Sequence, residues 1–265
     1  MRASKAVCLL SLLPRRPAEF YERVMTIIQV TRERSSISNP TDNTVNSIDA
    51  LSLALDVSTS RITEILAENE LHGIEKKVSE AIAKIRGMGP FDSGHNGDFS
   101  LARSIYVICR LLSPNIVLET GVAYGVTSAF ALQALATSQK GTLFSVDLPP
   151  LGPSADQHVG AFVPQELRRR WCLNRGTAKR ILPSLLPPIG KGDLFIHDSL
   201  HTYRNMTFEF ETVWPYLRPG AVLVADDVGL NDAFRDFTAR VKPAFAAVLT
   251  QQDKDALFGV LVKRA

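Results

Sequence analysis

The chain has 265 residues, 45% hydrophobic and 22% charged, with 16 Gly and 15 Pro. These are globular values and exclude a disordered, collagen-like or low-complexity chain. Lys+Arg 30 against Asp+Glu 27 leave a formal net charge of +3 with no dense basic block, so no nucleic-acid partner is expected.

Cys8, Cys109 and Cys172 are odd in number, far apart and form no CxxC pair. Neither a disulfide framework nor a structural zinc site is therefore expected, and a cytoplasmic location is expected. No apolar run is long enough to cross a bilayer, so no stable membrane insertion is expected. Arg2 and Lys5 precede an apolar stretch over 6–13 that has the outline of a signal peptide. It is short and runs into Pro14-Arg15-Arg16-Pro17 without a small-residue cleavage site, so it reads as part of the folded protein.

Up to about residue 95 the pattern is helical. Residues 17–34 carry Phe20, Val24, Ile27 and Ile28 at helical spacing. Residues 35–46, rich in Ser, Thr, Asn and Pro, read as a linker. Helices are expected over 48–55 and 60–85, the second capped by Ser60 and ended by Gly87 to Gly89. A loop over 91–97 and a helix over 100–112 follow.

From residue 113 strands and helices alternate. Strands are expected over 116–119, 142–146, 171–174, 193–196, 221–225, 246–249 and 257–262. Helices are expected over 126–136, 164–170, 178–186, 205–217 and 232–241. This order predicts an α/β fold, doubly wound and Rossmann-like, with a mainly parallel seven-stranded sheet. The final connection is too tight for a helical crossover, so the last strand is expected to be antiparallel. The division expected is an α-helical N-terminal cap over 1–95 and a cofactor-binding domain over 96–265.

Ligands of such sheets bind outside the carboxyl ends of the strands. The first strand there ends Glu119-Thr120-Gly121-Val122-Ala123-Tyr124-Gly125. Gly121 permits a tight turn and Gly125 a close backbone approach. The spacing is not the dinucleotide fingerprint. Glu119 beside the loop would repel a diphosphate and favour an ammonium or sulfonium. Asp147, ending the next strand, suits the two hydroxyls of a ribose. Asp198, Asp226 and Asp227 fall at adjacent strand ends, and clustered carboxylates of this kind suit Mg²⁺. His201, three residues past Asp198, can accept a proton near neutral pH. Each has a plainer structural reading: a solvated Glu, capping aspartates, a packed histidine. Of the other histidines, His72 reads as surface, His158 as loop, His197 as packed in its strand, and His95 as a residue able to face a cofactor.

With these blocks, and with Asp193-Leu-Phe-Ile-His-Asp198-Ser-Leu-His201-Thr-Tyr203 and Trp214-Pro-Tyr-Leu-Arg-Pro-Gly220 to Asp227, the sequence over 95–265 resembles class I S-adenosylmethionine-dependent methyltransferases. The nearest branch is that of small-molecule O-methyltransferases, including sugar- and antibiotic-tailoring and cephalosporin hydroxylase-like proteins. The resemblance implies S-adenosylmethionine held by Glu119, Gly121, Ala123, Tyr124, Gly125, Asp147, Thr177 and Asp198. Glu119 would lie near the ammonium, Asp147 at the ribose and Thr177 near adenine, where relatives carry Asp or Ser. It further implies a divalent metal, Mg²⁺, on Asp198, Asp226 and Asp227, and His201 as general base acting with Asp198. The implied partner is a small-molecule acceptor, and the helical cap is compatible with a homodimer or higher homo-oligomer. The competing readings are an NAD-dependent oxidoreductase, since Asp147 also suits a nucleotide ribose, and a non-catalytic cofactor-binding scaffold.

Overall fold

The computed structural model describes residues 2–33, 44–85, 91, 99–152, 155–252 and 256–264. The N-terminal part supplies α1 (Arg2–Leu12), α2 (Pro17–Glu33), β1 (Thr44–Val45), α3 (Ser47–Leu55), α4 (Thr59–Leu66), α5 (Asn69–Ile85) and α6 (Phe99–Leu112). The alternating part supplies β2 (Ile116–Thr120), α7 (Val126–Thr137), β3 (Thr142–Asp147), α8 (Ala155–His158), β4 (Trp171–Arg175) and α9 (Ala178–Ile189). It continues with β5 (Gly192–His197), α10 (Tyr203–Val213), β6 (Leu217–Ala225), α11 (Ala233–Val241), β7 (Phe245–Gln251) and β8 (Ala256–Val262).

The strands form one sheet in the order β1-β7-β8-β6-β5-β2-β3-β4. Parallel pairs join β2 to β3 and β5, β3 to β4, and β5 to β6. Only β8 runs antiparallel to its neighbours, inserted between β6 and β7 as the tight β7–β8 connection demands. The sheet has eight strands, one more than the pattern of hydrophobic runs marks. The extra strand is β1, two exposed residues inside the stretch read as a linker, paired in parallel with β7.

Three helix boundaries also differ. The helix expected over 60–85 breaks at Ala67-Glu68 into α4 and α5, and Ser58, not Ser60, caps it by accepting from the Arg61 N–H. The helix expected to reach 217 ends at Val213; Trp214–Tyr216 is a 3₁₀ turn and β6 starts at Leu217. Gln165–Arg170 is 3₁₀ rather than α. His95, and the Gly87 to Gly89 stop, lie outside the described residues.

Each face of the sheet has its own core. One packs α3 to α7 on Val117, Leu143, Leu194 and Val222; the other packs α9, α10 and α11 on Leu118, Phe195, Leu223 and Ala225. Helices α3, α4 and α5 thus share an apolar core with the sheet. Their buried residues, Ile62, Ile65, Leu71, Ile74 and Val78, recur at the 3.6-residue period of one helix face.

Helix α2 is held differently, by charge. Pro17 opens it, where a missing N–H costs nothing. Glu19 in its first turn is buried and accepts from Arg23 at 2.9 Å and from Arg175, at the end of β4, at 2.7 and 3.1 Å. Arg23 reaches on to the Pro149 carbonyl at 2.7 Å, Arg180 pairs with Glu22 at 3.0 Å, and Gln29 donates to the Thr202 hydroxyl. The helix therefore lies across the carboxyl ends of the strands, from β4 to the segment after β5.

Burial opposes the charge on Glu19, yet hydrogen bonds from Arg175 and Arg23 outweigh it and hold the carboxyl down to about 2. A depressed acid stabilises the fold above its ordinary value of 4.5 and loses that contribution as pH falls toward about 2. Glu19→Ala should weaken the attachment of α2 by about 2–3 kcal/mol. Limited trypsinolysis at neutral pH should then show faster cleavage at Arg23 and Arg32 in the variant than in wild type.

Candidate active site

Backbone hydrogen bonds continue past the strand ends. The Gly121 N–H donates to Val146, the Asp198 N–H to Thr120, the Asp226 N–H to His197 and the Gly176 N–H to Asp147, all at 2.8–2.9 Å. They draw the loops after five parallel strands into one rim. Gly121 is left-handed, with φ 81°, and a Cβ there would stand 2.0 Å from the Asp198 carbonyl oxygen. Only glycine lets these two loops touch. Gly125, with φ 86°, opens α7 and lies where a Cβ would meet Gly160 at 2.9 Å.

A cavity of about 1490 Å³ runs along this rim under α2. It exceeds the roughly 300–1,000 Å³ of a single small-molecule site. Gly121, Ala123, Asp147, Thr177, Asp198, His201, Asp226 and Asp227 all line it. Thr177 also caps α9 by accepting from the Arg180 N–H at 3.3 Å. Gly125, Tyr124 and Glu119 are not lining residues. Tyr124 is buried and stacks on Phe162, with ring centroids 4.9 Å apart.

Glu119 is 1% exposed, beneath the rim rather than on it. Strand alternation puts it on the Val117 face, toward the start of α7. There its carboxylate accepts from Thr127 at 3.0 Å, Ser128 at 2.7 Å and Ser145 at 2.6 Å. Burial pushes the carboxyl up to about 7 against these hydroxyls.

Asp147 faces the cavity. Burial raises its carboxyl to about 6, opposed by N–H donation from Val122 and Leu148. Its Oδ2 is buried with no hydrogen-bond partner among the described residues. An orphaned buried acceptor facing a cavity is free to accept from a donor that enters it.

Two strand steps along the sheet, about 10 Å, lie Asp198 and its neighbours. One ligand atom from each of Asp198, His201 and Asp226 lies within 4.8 Å of the others. Asp227, the third acid of the sequence reading, instead faces the other ring nitrogen: His201 Nδ1 is 3.4 Å from its Oδ2, and His201 Nε2 is 3.9 Å from Asp198 Oδ1. Two carboxylates and an imidazole are donors that suit a divalent cation.

Two buried residues brace this cluster and the segments that flank it, and sequence reasoning missed both. Gln251, at the end of β7, donates its amide to Asp226 Oδ1. Glu209, on α10, accepts from Thr120, from His197 at 2.6 Å, from Ser199 at 2.7 Å and from Asn205 at 2.9 Å. Burial works against its charge, but the His197 ring and these donors hold Glu209 below the usual carboxylate range. Glu209 did leave a signal: it interrupts the apolar stripe of Met206, Phe210 and Val213. Gln251 left none. His197 is packed, as expected, and His72 is exposed.

A family model described as a methyltransferase domain matches residues 118–228, which hold the rim from β2 to the loop after β6. No curated protein matches the sequence. Among solved structures, the chain is similar to the O-methyltransferase TomG of Streptomyces achromogenes, involved in tomaymycin synthesis and solved with SAM. That match has 18% identity and a TM-score of 0.56, covering 75% of this chain and 91% of that one. An O-methyltransferase from Bacillus cereus in complex with SAH gives 15% identity and a TM-score of 0.55, covering 76% and 95%. An SAH-bound methyltransferase from Podospora anserina gives 16% and 0.53, covering 71% and 88%. At these identities the likeness is one of fold. Residues 118–228 thus match a methyltransferase domain, within a fold shared with solved methyltransferases.

The raised carboxyl of Glu119 has a thermodynamic signature. Its folded value exceeds its ordinary 4.5, so the folded state binds more protons, and stability falls as pH rises from about 4.5 to about 7. Thermal melts of the ligand-free protein should show that decline, and Glu119→Gln should reduce it, most clearly between pH 6 and 7, above the range in which Asp147 contributes. An unchanged slope in the variant would contradict the burial of an ionisable Glu119.

Proposed function

We propose that this methyltransferase transfers a methyl group to a hydroxyl of a small molecule, assisted by a divalent cation. The observation that carries the reading is a single cavity with two chemically distinct regions. One holds the orphaned Asp147 Oδ2, and the other holds the Asp198, His201 and Asp226 cluster.

S-Adenosylmethionine supplies an electrophilic methyl on a positive sulfonium. Asp147 accepts from the ribose hydroxyls, with Arg23 and Arg175 nearby favouring its ionised form. The Gly121 to Ala123 turn bounds the methionine side, where the left-handed backbone leaves no side chain at 121. Glu119 supports that turn from below by bonding the start of α7. Thr177 lies at the adenine side. Helix α2 roofs the site and limits water, which gives the proposed 1–95 cap a purpose in binding. At the acceptor side, Asp198 and Asp226 would hold the cation, which would lower the acceptor hydroxyl's pKa. His201 takes the acceptor proton, its ring oriented by Asp227 as a base is by its carboxylate partner. Holding acceptor and methyl group in line supplies much of the rate.

A second reading of His201 rests on its place among the clustered donor atoms: it is then a third cation ligand. Calorimetric titration of Mg²⁺ or Mn²⁺ into SAH-saturated protein separates the two. Asp226→Ala should abolish binding in both cases, whereas His201→Ala abolishes it only if His201 is a ligand. Wild type that binds neither cation would remove the metal from the account. Titration of SAH should give a roughly 10- to 100-fold weaker Kd in Asp147→Ala, from loss of charge-assisted hydrogen bonds. NAD should not bind; NAD binding in preference to SAH would favour the oxidoreductase reading instead.

A further inference from the structure

The first 33 residues carry exposed apolar side chains, some at the cavity rim and others, Val7, Leu10 and Leu13, away from it. Residues 2–17 carry Arg2, Lys5, Arg15 and Arg16 and no acidic residue. Helix α1 packs on α2 yet leaves Val7 and Leu10 exposed, at 66% and 62%, and Leu13 in the turn after it is 44% exposed. Helix α2 leaves Tyr21, Met25 and Ile28 exposed, and steps of four and three put them on one helix face. Large apolar side chains scattered singly over a surface are ordinary; six of them along two packed helices and the turn between them are the kind of concentration that marks an interaction surface.

We propose that the α1–α2 hairpin docks this enzyme on an anionic lipid surface. Charge complementarity selects that occupant. Lys5, Arg15 and Arg16 are exposed around the apolar residues, and Arg16 makes only a long contact, 3.5 Å, to Glu19. The acids of α2 are engaged with the body of the protein: Glu19 with Arg23 and Arg175, Glu22 with Arg180. Glu33 lines the cavity. A cationic rim around an apolar face, with Tyr at the boundary, is the composition of a helix lying in a lipid interface.

A second copy of the chain fits less well. A twofold contact places the same patch against itself, and this one would bring Lys5, Arg15 and Arg16 together with no acid to meet them. Crossing the bilayer is also out of reach for α1: its 11 residues reach about 16 Å, against a hydrocarbon core of about 30 Å. Among the described residues no helix is long and apolar enough to span. Lys5, Tyr21, Met25 and Ile28 also line the cavity, so docking by this face turns the cavity rim toward the lipid.

The test is co-sedimentation of the full chain with vesicles. One set is phosphatidylcholine alone, and the other contains about 30% phosphatidylserine. The protein should pellet with the anionic vesicles, several-fold less with the neutral ones, and be released at about 1 M salt. The Leu10→Glu/Leu13→Glu variant should bind roughly tenfold less, with an unchanged circular-dichroism melt showing that it folds. Absence of pelleting above a vesicle-free control would overturn the proposal. So would a concentration-dependent dimer that the double variant dissociates, because the patch would then belong to a second copy. Neither readout involves SAH, so failure here leaves the methyl-transfer reading standing, and the reverse holds.

Discussion

The site depends on one close approach, between the backbone of Gly121 and the carbonyl of Asp198. Parallel pairing brings β2, β3, β5 and β6 to the same edge of the sheet, but parallel strands alone leave their loops splayed. The bonds from Gly121 to Val146, from Asp198 to Thr120 and from Asp226 to His197 close that edge. A side chain at 121 would force the β2 and β5 loops apart, because a Cβ has no space against Asp198. Asp147 and the Asp198 cluster would then no longer border one cavity.

At and beneath that rim the protein buries three carboxylates, Glu119, Glu209 and Asp226, each held by hydrogen-bond donors. Glu119 meets three hydroxyls, Glu209 two hydroxyls, an amide and an imidazole, and Asp226 an amide. Buried acids are tolerated where their lone pairs are filled. These bonds tie strand ends to helices α7 and α10 and to β7, so the polar layer that orients the cavity also joins the two cores of the fold.

Much of this was legible in the sequence for a physical reason. Strands buried on both faces read as short apolar runs, and Glu119, Asp147, Asp198 and Asp226 interrupt them at their ends. That placed the strand-end acids and glycines that border the cavity, but not the α2 side chains that also line it. The direction of Glu119 was recoverable only from alternation: it shares a face with Val117, and Thr127-Ser128 at the head of α7 are its partners. The grouping of His201 with Asp198 and Asp226, with Asp227 on the other ring nitrogen, is set by side-chain directions in loops that no periodic pattern encodes. Strand β1 was invisible because two exposed residues bury no periodic face. Helix α2 was legible as a helix, but its attachment runs through Glu19 and Arg175, which are 156 positions apart. Ion pairs over such separations leave no local trace.

The central claim is that the cavity under α2 is the cofactor site and that α2 is part of it. Hydrogen–deuterium exchange with and without SAH tests this most directly. The account predicts slower exchange together in three places: the Thr120 to Ala123 turn, the Asp147 and Gly176 to Ala178 ends, and α2 from Pro17 to Glu33. Protection of the strand ends with α2 unchanged would contradict the role of α2. Binding of SAH with no protection at either would contradict the site itself.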